Sequence, residues 1–338
     1  MSLANSRQSL HLVQSSLNSL TLKSFASNSA DTAAAVIKKN TAAAVIKKGS
    51  GEGWEIWDRE NPITQLEDMT CAWTTFRATN GETSPMCVHM ERDAVSDTIK
   101  RAGRWSDCDG LTALWDEQQQ GDDNKDPSVY IEIGANIGGC ILQMLLTTNA
   151  TILAFEPHPK NQFCVTSSLR ALESVKPEYR DRVIFFPIGL GTKTETSTIV
   201  AAKGNMGHST VGGVNKFSPH NVFEVEMPVQ IERLDDILDT QVTGVGLIKM
   251  DVEGFECSVM DGMPNTLQNT KVMQTEVAHN LLKGFEGCSD AILVDKIRDS
   301  GFDVFMSNKL LVGPPIQKGY IDVVARRKHT AFPTVPLE

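Results

Sequence analysis

The chain has 338 residues, of which 41% are hydrophobic, and its formal net charge is −10. This length is enough to bury the core of one large domain with additions. The negative charge disfavours a nucleic-acid partner, because a negative surface repels the phosphate backbone. No apolar run in the sequence approaches the roughly 18 residues of a membrane-spanning helix, so we expect no integral membrane segment.

Residues 1–53 differ in composition from the rest and are predicted to be a flexible tail. Nine of the first 30 residues are Ser, and no acidic residue precedes Asp31. This composition weakly resembles an organelle transit peptide, and a disordered tail without targeting value is the alternative. Residues 32–39 and 41–48 both read TAAAVIKK, and with the Gly-rich stretch at 49–53 they are interpreted as a spacer. The compartment is left open between the cytoplasm and an organelle.

Residues 54–126 are predicted to form an N-terminal cap segment. The stretch from Trp54 to Gln120 is globular in composition and contains all five tryptophans of the chain. Such large apolar side chains must pack on something. We therefore expect this segment to lie against the sheet of the next domain, over the mouth of its ligand site.

Residues 127–328 are predicted to form the main α/β domain, and residues 329–338 a C-terminal tail. Apolar runs alternate with helical patterns along this span, which predicts a mostly parallel, twisted sheet with helices on both faces and an antiparallel edge at its end. The predicted strands cover 129–133, 151–155, 183–187, 196–201, 225–230, 245–250, 272–276, the vicinity of 304, and 321–325. The predicted helices cover 139–146, 160–174 and 289–300, with another after Gly254.

Residues 129–157 predict half of a nucleotide-binding site. The first strand ends at Gly134-Ala135-Asn136-Ile137-Gly138, where small residues let backbone N–H groups approach a ligand at a helix N-terminus. The second strand ends at Glu156, and an acidic residue about 20 positions past the glycines can hold two ribose hydroxyls. We therefore predict that the ligand is an adenosine derivative. A tight turn without a ligand, and a solvated loop acid at Glu156, are the alternatives.

The spacing of this loop indicates which adenosine derivative binds. The dinucleotide fingerprint needs glycine at the position that Asn136 occupies, which argues against a nicotinamide-dependent oxidoreductase. The pattern Glu132-x-Gly134-x-Asn136-x-Gly138 instead resembles the first motif of S-adenosylmethionine-dependent methyltransferases, in which a carboxylate faces the amino-acid end of the cofactor. We expect Gly134 and Gly138 to leave space for the cofactor, and Asn161 to cap the following helix.

A second cluster of acids follows the predicted strand 245–250. Burying Asp251 at the end of this apolar strand without a partner would be costly. Lys249 is not expected to be the automatic partner of Asp251, whereas Glu253 is expected on the same side as Asp251 if the strand extends. Two close carboxylates raise the pKa of one of them, which suits a base that accepts a hydroxyl proton. Glu256 is assigned to the N-terminus of the next helix, where negative charge is favourable.

Six segments of the chain together resemble, in order, the FkbM-type methyltransferase family over roughly residues 129–327. They are IEIGANIG, AFEPHP, PIGLG at 187–191, ERLDDIL at 232–238, IKMDVEGFE and QTEV at 274–277. The pattern K-x-D-x-E-G-x-E is the most distinctive of them. The resemblance implies a Rossmann-like class I methyltransferase fold, S-adenosyl-L-methionine as cofactor, and methylation of a hydroxyl on a sugar or small metabolite.

Site residues are assigned on these motifs. The predicted cofactor-binding residues are Glu132, Gly134, Asn136, Gly138, Glu156, Pro157 and Gly189. The predicted catalytic residues are Asp251, Glu253, Glu276 and His279. Glu276 ends a strand and His279 follows it, so both are expected near the substrate; a packed or surface histidine is the alternative for His279.

Three further expectations concern a loop, a metal and the cysteines. The polar loop 203–221 is predicted to close over the site, with His208 or Ser209 near the methyl group. No metal ligand is assigned, and the alternative is that the paired acids bind a divalent cation that activates a hydroxyl. The seven cysteines contain no C-x-x-C, so zinc is not expected and at least one thiol is free. Cys87 and Cys108 could pair in an oxidising compartment, whereas Cys140, Cys164 and Cys257 are placed on core helices, and a reduced compartment is the default expectation.

Two other classes of function remain open at this stage. One is the nicotinamide-dependent oxidoreductase, and the other is a non-catalytic, cofactor-binding scaffold whose tryptophan-rich segment recruits a partner. The sequence specifies neither the acceptor nor the oligomeric state.

Overall fold

The computed structural model describes residues 46–47, 49–60, 63, 69–119, 129–202, 205–212, 223–238, 244–313 and 319–328. Both TAAAVIKK copies, apart from residues 46 and 47, and the predicted C-terminal tail lie outside these ranges. So do residues 120–126 of the predicted cap segment. The assigned boundaries of the tail and the cap stay predictions.

The described helices and strands are numbered in chain order. The strands are β1 (Ser50–Gly51), β2 (Trp54–Glu55), β3 (Ala72–Arg77), β4 (Thr83–Val88), β5 (Val129–Ile133), β6 (Thr151–Phe155), β7 (Val183–Phe186), β8 (Gly189–Leu190), β9 (Glu195–Ala202), β10 (Asn205–Val211), β11 (Phe223–Glu232), β12 (Val245–Met250), β13 (Thr270–Ala278), β14 (Phe302–Met306), β15 (Lys309–Leu310) and β16 (Tyr320–Arg327). The α-helices are α1 (Ala94–Ala102), α2 (Leu111–Gln119), α3 (Gly139–Thr147), α4 (Pro159–Val175), α5 (Leu234–Ile237), α6 (Glu256–Asp261), α7 (Pro264–Gln268), α8 (His279–Leu282) and α9 (Asp290–Asp299).

The main sheet has the strand order β15-β14-β16-β13-β12-β5-β6-β7 among the described residues. Strands β13, β12, β5, β6 and β7 are parallel, whereas β16 runs antiparallel to both β13 and β14. Every residue of β5, β6 and β12 is buried, as expected for strands covered on both faces. The predicted fold class, a mostly parallel sheet with an antiparallel edge, is confirmed.

A second sheet, of order β10-β9-β11-β8, corrects the simple strand series predicted from the sequence. Strands β9 and β11, predicted as members of one series, pair with each other antiparallel and lie outside the main sheet. Strand β10 falls inside the stretch predicted to be the loop 203–221. Its polar sequence NMGHSTV hides the strand, which forms because Thr210 and Val211 pair with Val200 and Ile199 of β9.

Apolar side chains cover both faces of the main sheet. On one face Ile131 and Leu153 share a core cluster with Val259 of α6 and Leu293 of α9. On the other face Tyr130 and Ile152 share a cluster with α3 and α4. The second cluster also contains Phe76 of β3, Trp115 of α2 and Trp57, so the described part of residues 54–119 does pack on the domain as expected.

Part of the predicted tail is also packed against the domain. Ile46 is buried and forms an isolated bridge with Leu238. Residues 50–55 form the short β1–β2 hairpin instead of a flexible linker, and the Trp54 side chain donates from Nε1 to Glu232 Oε1 at 2.8 Å. Tertiary packing therefore begins before residue 54.

Three disulfide bonds correct the cysteine predictions. They join Cys71 to Cys87, Cys108 to Cys140 and Cys257 to Cys288, and Cys164 is a buried free thiol. The suggested pairing of Cys87 with Cys108 is wrong, because connectivity depends on spatial neighbours that spacing alone does not reveal. Disulfides persist mainly in oxidising compartments, so this pattern does not support the reduced compartment expected from the sequence.

No helix within the described ranges combines the length and the apolarity that crossing a membrane would require.

Candidate active site

A cavity of about 370 Å³ opens where strands β5, β6 and β12 end. Ligands of open parallel sheets bind in the crevice outside the carboxyl ends of the strands, and pockets of this size accept small molecules. Nine of the predicted site residues line this cavity. They are Glu132, Gly134, Asn136, Glu156, Pro157, Gly189, Asp251, Glu253 and Glu276. Gly138 and His279 are not lining residues in the described part of the chain.

The two loop glycines are required by the protein's own backbone. Gly134 and Gly138 have φ values of +87° and +90°, a region that L-residues with a side chain rarely adopt. A Cβ atom on Gly134 would lie 1.9 Å from the backbone oxygen of Asp251, and one on Gly138 would lie 3.3 Å from Val165 Cγ2. A side chain at either glycine would therefore meet the protein itself, and the expectation that these glycines leave space for a cofactor stays a prediction.

Glu156 is a carboxylate of the cavity that three protein hydrogen-bond donors hold in place. Its oxygens accept hydrogen bonds from the backbone N–H of Asn136 at 2.7 Å, the backbone N–H of His158 at 2.8 Å and Nδ2 of Asn161 at 3.3 Å. Burial raises its pKa to about 7, and these donors act in the opposite direction. Glu156 is only 4% exposed, so the alternative of a solvated loop acid is wrong.

Asn161 does not cap helix α4, contrary to the prediction. The N-cap residue is His158, whose Nδ1 accepts from the backbone N–H of Lys160 at 3.2 Å. The Asn161 side chain instead bridges Glu156 and His89, whose Nε2 lies 2.9 Å from Asn161 Oδ1. It therefore holds the carboxylate of Glu156 in place.

Lys249 links two of the predicted site acids. Its Nζ lies 3.5 Å from Glu132 Oε1 and 3.3 Å from Asp251 Oδ2. Burial alone would lower the pKa of Lys249, but the two carboxylates outweigh it and raise this pKa. The prediction that Lys249 is not the partner of Asp251 is wrong, because the alternation of side chains along a strand places residues 249 and 251 on the same face. Glu132 is paired with Lys249 in the register of β5 and β12 and also accepts from the Tyr130 hydroxyl.

Glu253 faces the cavity from a turn rather than from an extended strand. Its φ of 54° lies in the left-handed region, which a non-glycine residue enters only at a cost of about 1–3 kcal/mol. Its Oε2 lies 3.1 Å from Nδ1 of His208, a residue of β10 that also lines the cavity. Burial raises the pKa of Glu253, whereas the contact with Glu253 raises the pKa of His208.

Glu276 shares the same end of the cavity with other acids. Burial raises its pKa to about 9, and the carboxylates of Asp251, Glu253, Glu256 and Asp322 add to the effect. A carboxyl group with this pKa is mostly protonated at neutral pH. It can therefore donate a hydrogen bond to a ligand oxygen before it accepts a proton.

Glu256 supports the turn in front of helix α6, which agrees with its assignment to the helix N-terminus. It is fully buried, and its Oε1 accepts from the backbone N–H groups of Val252 at 3.1 Å and Gly254 at 3.3 Å. Burial raises its pKa to about 8.

His279 lies outside the cavity, which corrects its predicted catalytic position. Its Nδ1 is 3.0 Å from Asp290 Oδ2 at the start of α9, and its Nε2 is 2.8 Å from Lys283 Nζ. Although β13 delivers Glu276 to the site, the chain enters α8 at His279 and turns the ring towards α9. The alternative of a packed histidine describes it better.

Sequence reasoning did not assign Lys249 or Tyr320 to the site, yet both line the cavity, as do His208 and Ser209, one of which was expected near the methyl group. The signal for Lys249 was available, because Lys249 and Glu132 occupy neighbouring parallel strands. The signal for Tyr320 was weak, since it depends on the antiparallel return of β16 beside β13. In the described ranges, no group of three or more His, Cys, Asp or Glu side chains is arranged to hold a metal ion.

A parallel sheet with a glycine-bearing loop after β5 and a buried acid at the end of β6 defines a Rossmann-like, class I type of cofactor-binding enzyme. The family model of the methyltransferase FkbM domain matches residues 132–304, and the chain belongs to this family. It is a methyltransferase, and its cofactor is S-adenosylmethionine. The nicotinamide-dependent alternative is thereby overturned.

One curated relative and two solved structures illustrate the similarity. The 2-O-methyltransferase NoeI of Sinorhizobium fredii (strain NBRC 101917 / NGR234) is 27% identical over 174 residues, which cover 48% of this chain and 68% of that protein. Methyltransferase FkbM from Methylobacillus flagellatus KT matches with a TM-score of 0.38 and 15% identity, over 62% of this chain and 47% of that one. Precorrin-6y C5,15-methyltransferase from Geobacter metallireducens GS-15 matches with a TM-score of 0.35 and 12% identity, over 72% and 95%.

The residues of the cavity fit this cofactor. Glu156 can receive a ribose hydroxyl, the Glu132–Lys249 pair offers both charges to an amino-acid group, and apolar side chains such as Ile188 and Leu190 can contact a base. A carboxylate has about four acceptor sites. Glu156 already uses three of them for protein donors, so one remains at Oε2 for a hydroxyl, fewer than the two expected from the sequence.

Proposed function

We propose that this methyltransferase transfers the methyl group of S-adenosylmethionine to a hydroxyl oxygen of a sugar or another small metabolite. The observation that carries the proposal is that the two ends of one cavity are lined by different residues. Glu156 stands at one end with its protein donors, and Asp251, Glu253 and Glu276 crowd the other. The similarity to a protein named as a 2-O-methyltransferase supports oxygen as the acceptor atom.

The cofactor end of the cavity, as we propose it, uses the residues of the first two strands. Glu156 binds the ribose, Asn136 orients the loop through its N–H bond to Glu156, and Pro157 and Gly189 flank the adenosine. Glu132 and Lys249 receive the amino-acid group. When bound, the cofactor supplies an electrophilic methyl group on a sulfonium centre.

The acceptor end takes its residues from the turn after β12 and from β13. Methyl transfer needs alignment, exclusion of water and removal of one proton, so no covalent nucleophile is required. Asp251, which is 32% exposed at its side chain and bonded to Lys249, is placed to fix the acceptor by a hydrogen bond. Protonated Glu276 can donate to a second acceptor oxygen. Such donors and acceptors suit a polyhydroxylated molecule.

The test is transfer of radiolabelled methyl from S-adenosylmethionine to a panel of sugars and hydroxylated metabolites, with matched amines and thiols beside them. We expect label on a hydroxyl compound, released as a methyl ether that resists mild base. Label found only on amines or thiols would overturn oxygen as the acceptor. Label on none of the compounds, from protein that binds the cofactor, would favour the non-catalytic scaffold.

A further inference from the structure

We propose that His208 is the general base of this reaction and that Glu253 positions its ring and stabilises its charged form. The inference rests on the proposed O-methylation, in which the acceptor hydroxyl must lose its proton. It assigns catalysis to β10, a strand that the sequence hides within an apparent loop, instead of to His279.

The geometry brings the ring to the cavity with one nitrogen already engaged. Nδ1 of His208 lies 3.1 Å from Glu253 Oε2, and the His208 side chain is 33% exposed while that of Glu253 is 14% exposed. Within the described ranges no protein group hydrogen-bonds to Nε2. With the Nδ1 proton directed at the Glu253 carboxylate in this 3.1 Å contact, Nε2 of the neutral ring keeps its lone pair and is the nitrogen free to accept a proton.

The backbone holds both partners firmly. Strand β10 is anchored to α1 by a hydrogen bond from the Met206 N–H to Asp93 Oδ1 at 2.8 Å, and Asp93 also caps α1. The His208 ring meets Tyr320 edge to face, with ring centroids 6.0 Å apart. Glu253 is held in its left-handed conformation between β12 and α6. Strained residues of this kind concentrate at functional sites.

The neighbouring acids are less suited to accept the proton. Glu276, with its pKa raised to about 9 by burial and by other carboxylates, is already protonated at neutral pH. Asp251 Oδ2 already accepts a hydrogen bond from Lys249 Nζ at 3.3 Å, so this oxygen is engaged by the protein. A histidine with a nearby carboxylate is the usual solution to this requirement.

The charges that act on the ring come from two acids, Glu253 and Asp251, on the turn after β12. Glu276 of β13, Tyr320 of β16 and the cation Lys249 of β12 line the same cavity. The hydrogen bond to Glu253 raises the pKa of His208, burial opposes it, and the charges of Glu253 and Asp251 raise it further. The pKa of His208 consequently lies above its ordinary value of about 6.5.

The chemical step balances with these groups alone. The acceptor oxygen forms a bond to the methyl carbon, and the carbon–sulfur bond breaks with its electron pair going to sulfur, which changes from sulfonium to thioether. The hydroxyl proton moves to Nε2 of His208. The imidazolium that results is stabilised by Glu253 and later releases the proton to water.

The decisive experiment compares His208→Gln and Glu253→Gln with His279→Gln. The control removes a histidine that also contacts a carboxylate, Asp290 at 3.0 Å, but lies outside the cavity. We expect kcat to fall about 100-fold or more in His208→Gln, since positioned acid–base groups contribute about 10²–10⁴-fold. The Kd for S-adenosylhomocysteine should stay unchanged in all three variants, which also verifies folding. In the native enzyme kcat should rise with pH around a midpoint above 6.5, and Glu253→Gln should move that midpoint to lower pH.

A second readout does not depend on turnover. The ring signals of the seven histidines can be titrated by NMR, with His208 identified by the signal lost in His208→Gln. Its pKa should drop in Glu253→Gln and stay the same in His279→Gln. If Glu253→Gln leaves this pKa unchanged, the pairing is wrong. If native protein methylates a hydroxyl while His208→Gln keeps its kcat and pH profile, the base assignment is wrong although the proposed function stands. If the native protein methylates no hydroxyl compound, the proposed function is wrong, and the assignment of His208 as a general base falls with it.

Discussion

The two ends of the cavity contain the same kind of side chain in opposite surroundings. At the cofactor end Glu156 has three donors from Asn136, His158 and Asn161, and its pKa is raised to about 7. At the acceptor end Glu276 faces further acids, and its pKa is raised to about 9. Burial raises the pKa of both Glu156 and Glu276, so the difference between the two pKa values comes from the neighbouring groups. Hydrogen-bond donors oppose the rise at Glu156, which can then accept from a ligand, whereas neighbouring negative charges keep Glu276 protonated.

Lys249 contacts acids of both ends of the cavity, and its substitution should produce a large loss of stability. Lys249→Met leaves the buried Glu132 and the half-buried Asp251 without their shared cation, and breaking a buried ion pair such as Glu132–Lys249 costs about 3–5 kcal/mol. We expect the free energy of unfolding, measured in urea, to fall by that amount. The double variant Glu132→Gln with Lys249→Met should recover part of the loss. Unchanged stability of the single variant would mean that the contact contributes nothing.

Substitution of Asp251 should show whether this residue acts in turnover or in cofactor binding. Asp251→Asn keeps the shape of the side chain and removes its charge, so we expect kcat to fall about tenfold to 100-fold, within the range of charge-assisted contacts of about 1.5–3 kcal/mol. Affinity for S-adenosylhomocysteine, measured by isothermal titration, should change little, because Glu132 still neutralises Lys249. If the variant loses cofactor affinity and keeps kcat, Asp251 belongs to the other end of the cavity.

Substitution of Glu276 should appear as a pH dependence of stability. The pKa of Glu276 in the folded state is about 9, against an ordinary value near 4.5. Between these values the unfolded chain releases the proton and the folded chain keeps it, so folding becomes less favourable as pH rises from about 4.5 to about 9. Glu276→Gln should therefore raise Tm more at pH 8 than at pH 5. An equal change at both pH values would show that Glu276 titrates normally.

Much of the fold could be predicted because the central strands are covered on both faces. The predicted limits of β5, β6 and β12 agree with the structure, since each is an uninterrupted buried run followed directly by a glycine or an acidic residue. Strand β10 was missed because its side chains are mostly half-buried and polar, and its strand form depends on pairing with β9. Pairing between distant segments is invisible to local periodicity.

The site was predictable where a residue follows directly from a strand end. Glu156 and Asp251 were placed by that rule, and both line the cavity. His279 was misplaced because the strand rule fails once the chain enters α8, and Asn161 was misassigned because His158 takes the capping position. The disulfide between Cys108 and Cys140 likewise depends on the packing of the residues before α2 against α3. Each failure occurs where tertiary contact overrides local sequence.

The measurement that tests the central claim most directly is isothermal titration of S-adenosylhomocysteine into the native protein, Glu156→Ala and the control Glu195→Ala. Glu195 is an acid on β9 that pairs with Lys193 and is not among the residues found to line the cavity. We expect micromolar binding to the native protein and the control, and about 10-fold to 100-fold weaker binding to Glu156→Ala, from the loss of a charge-assisted hydrogen bond worth about 1.5–3 kcal/mol. Equal affinity of Glu156→Ala, or no binding to folded native protein, would contradict a cofactor site at this end of the cavity.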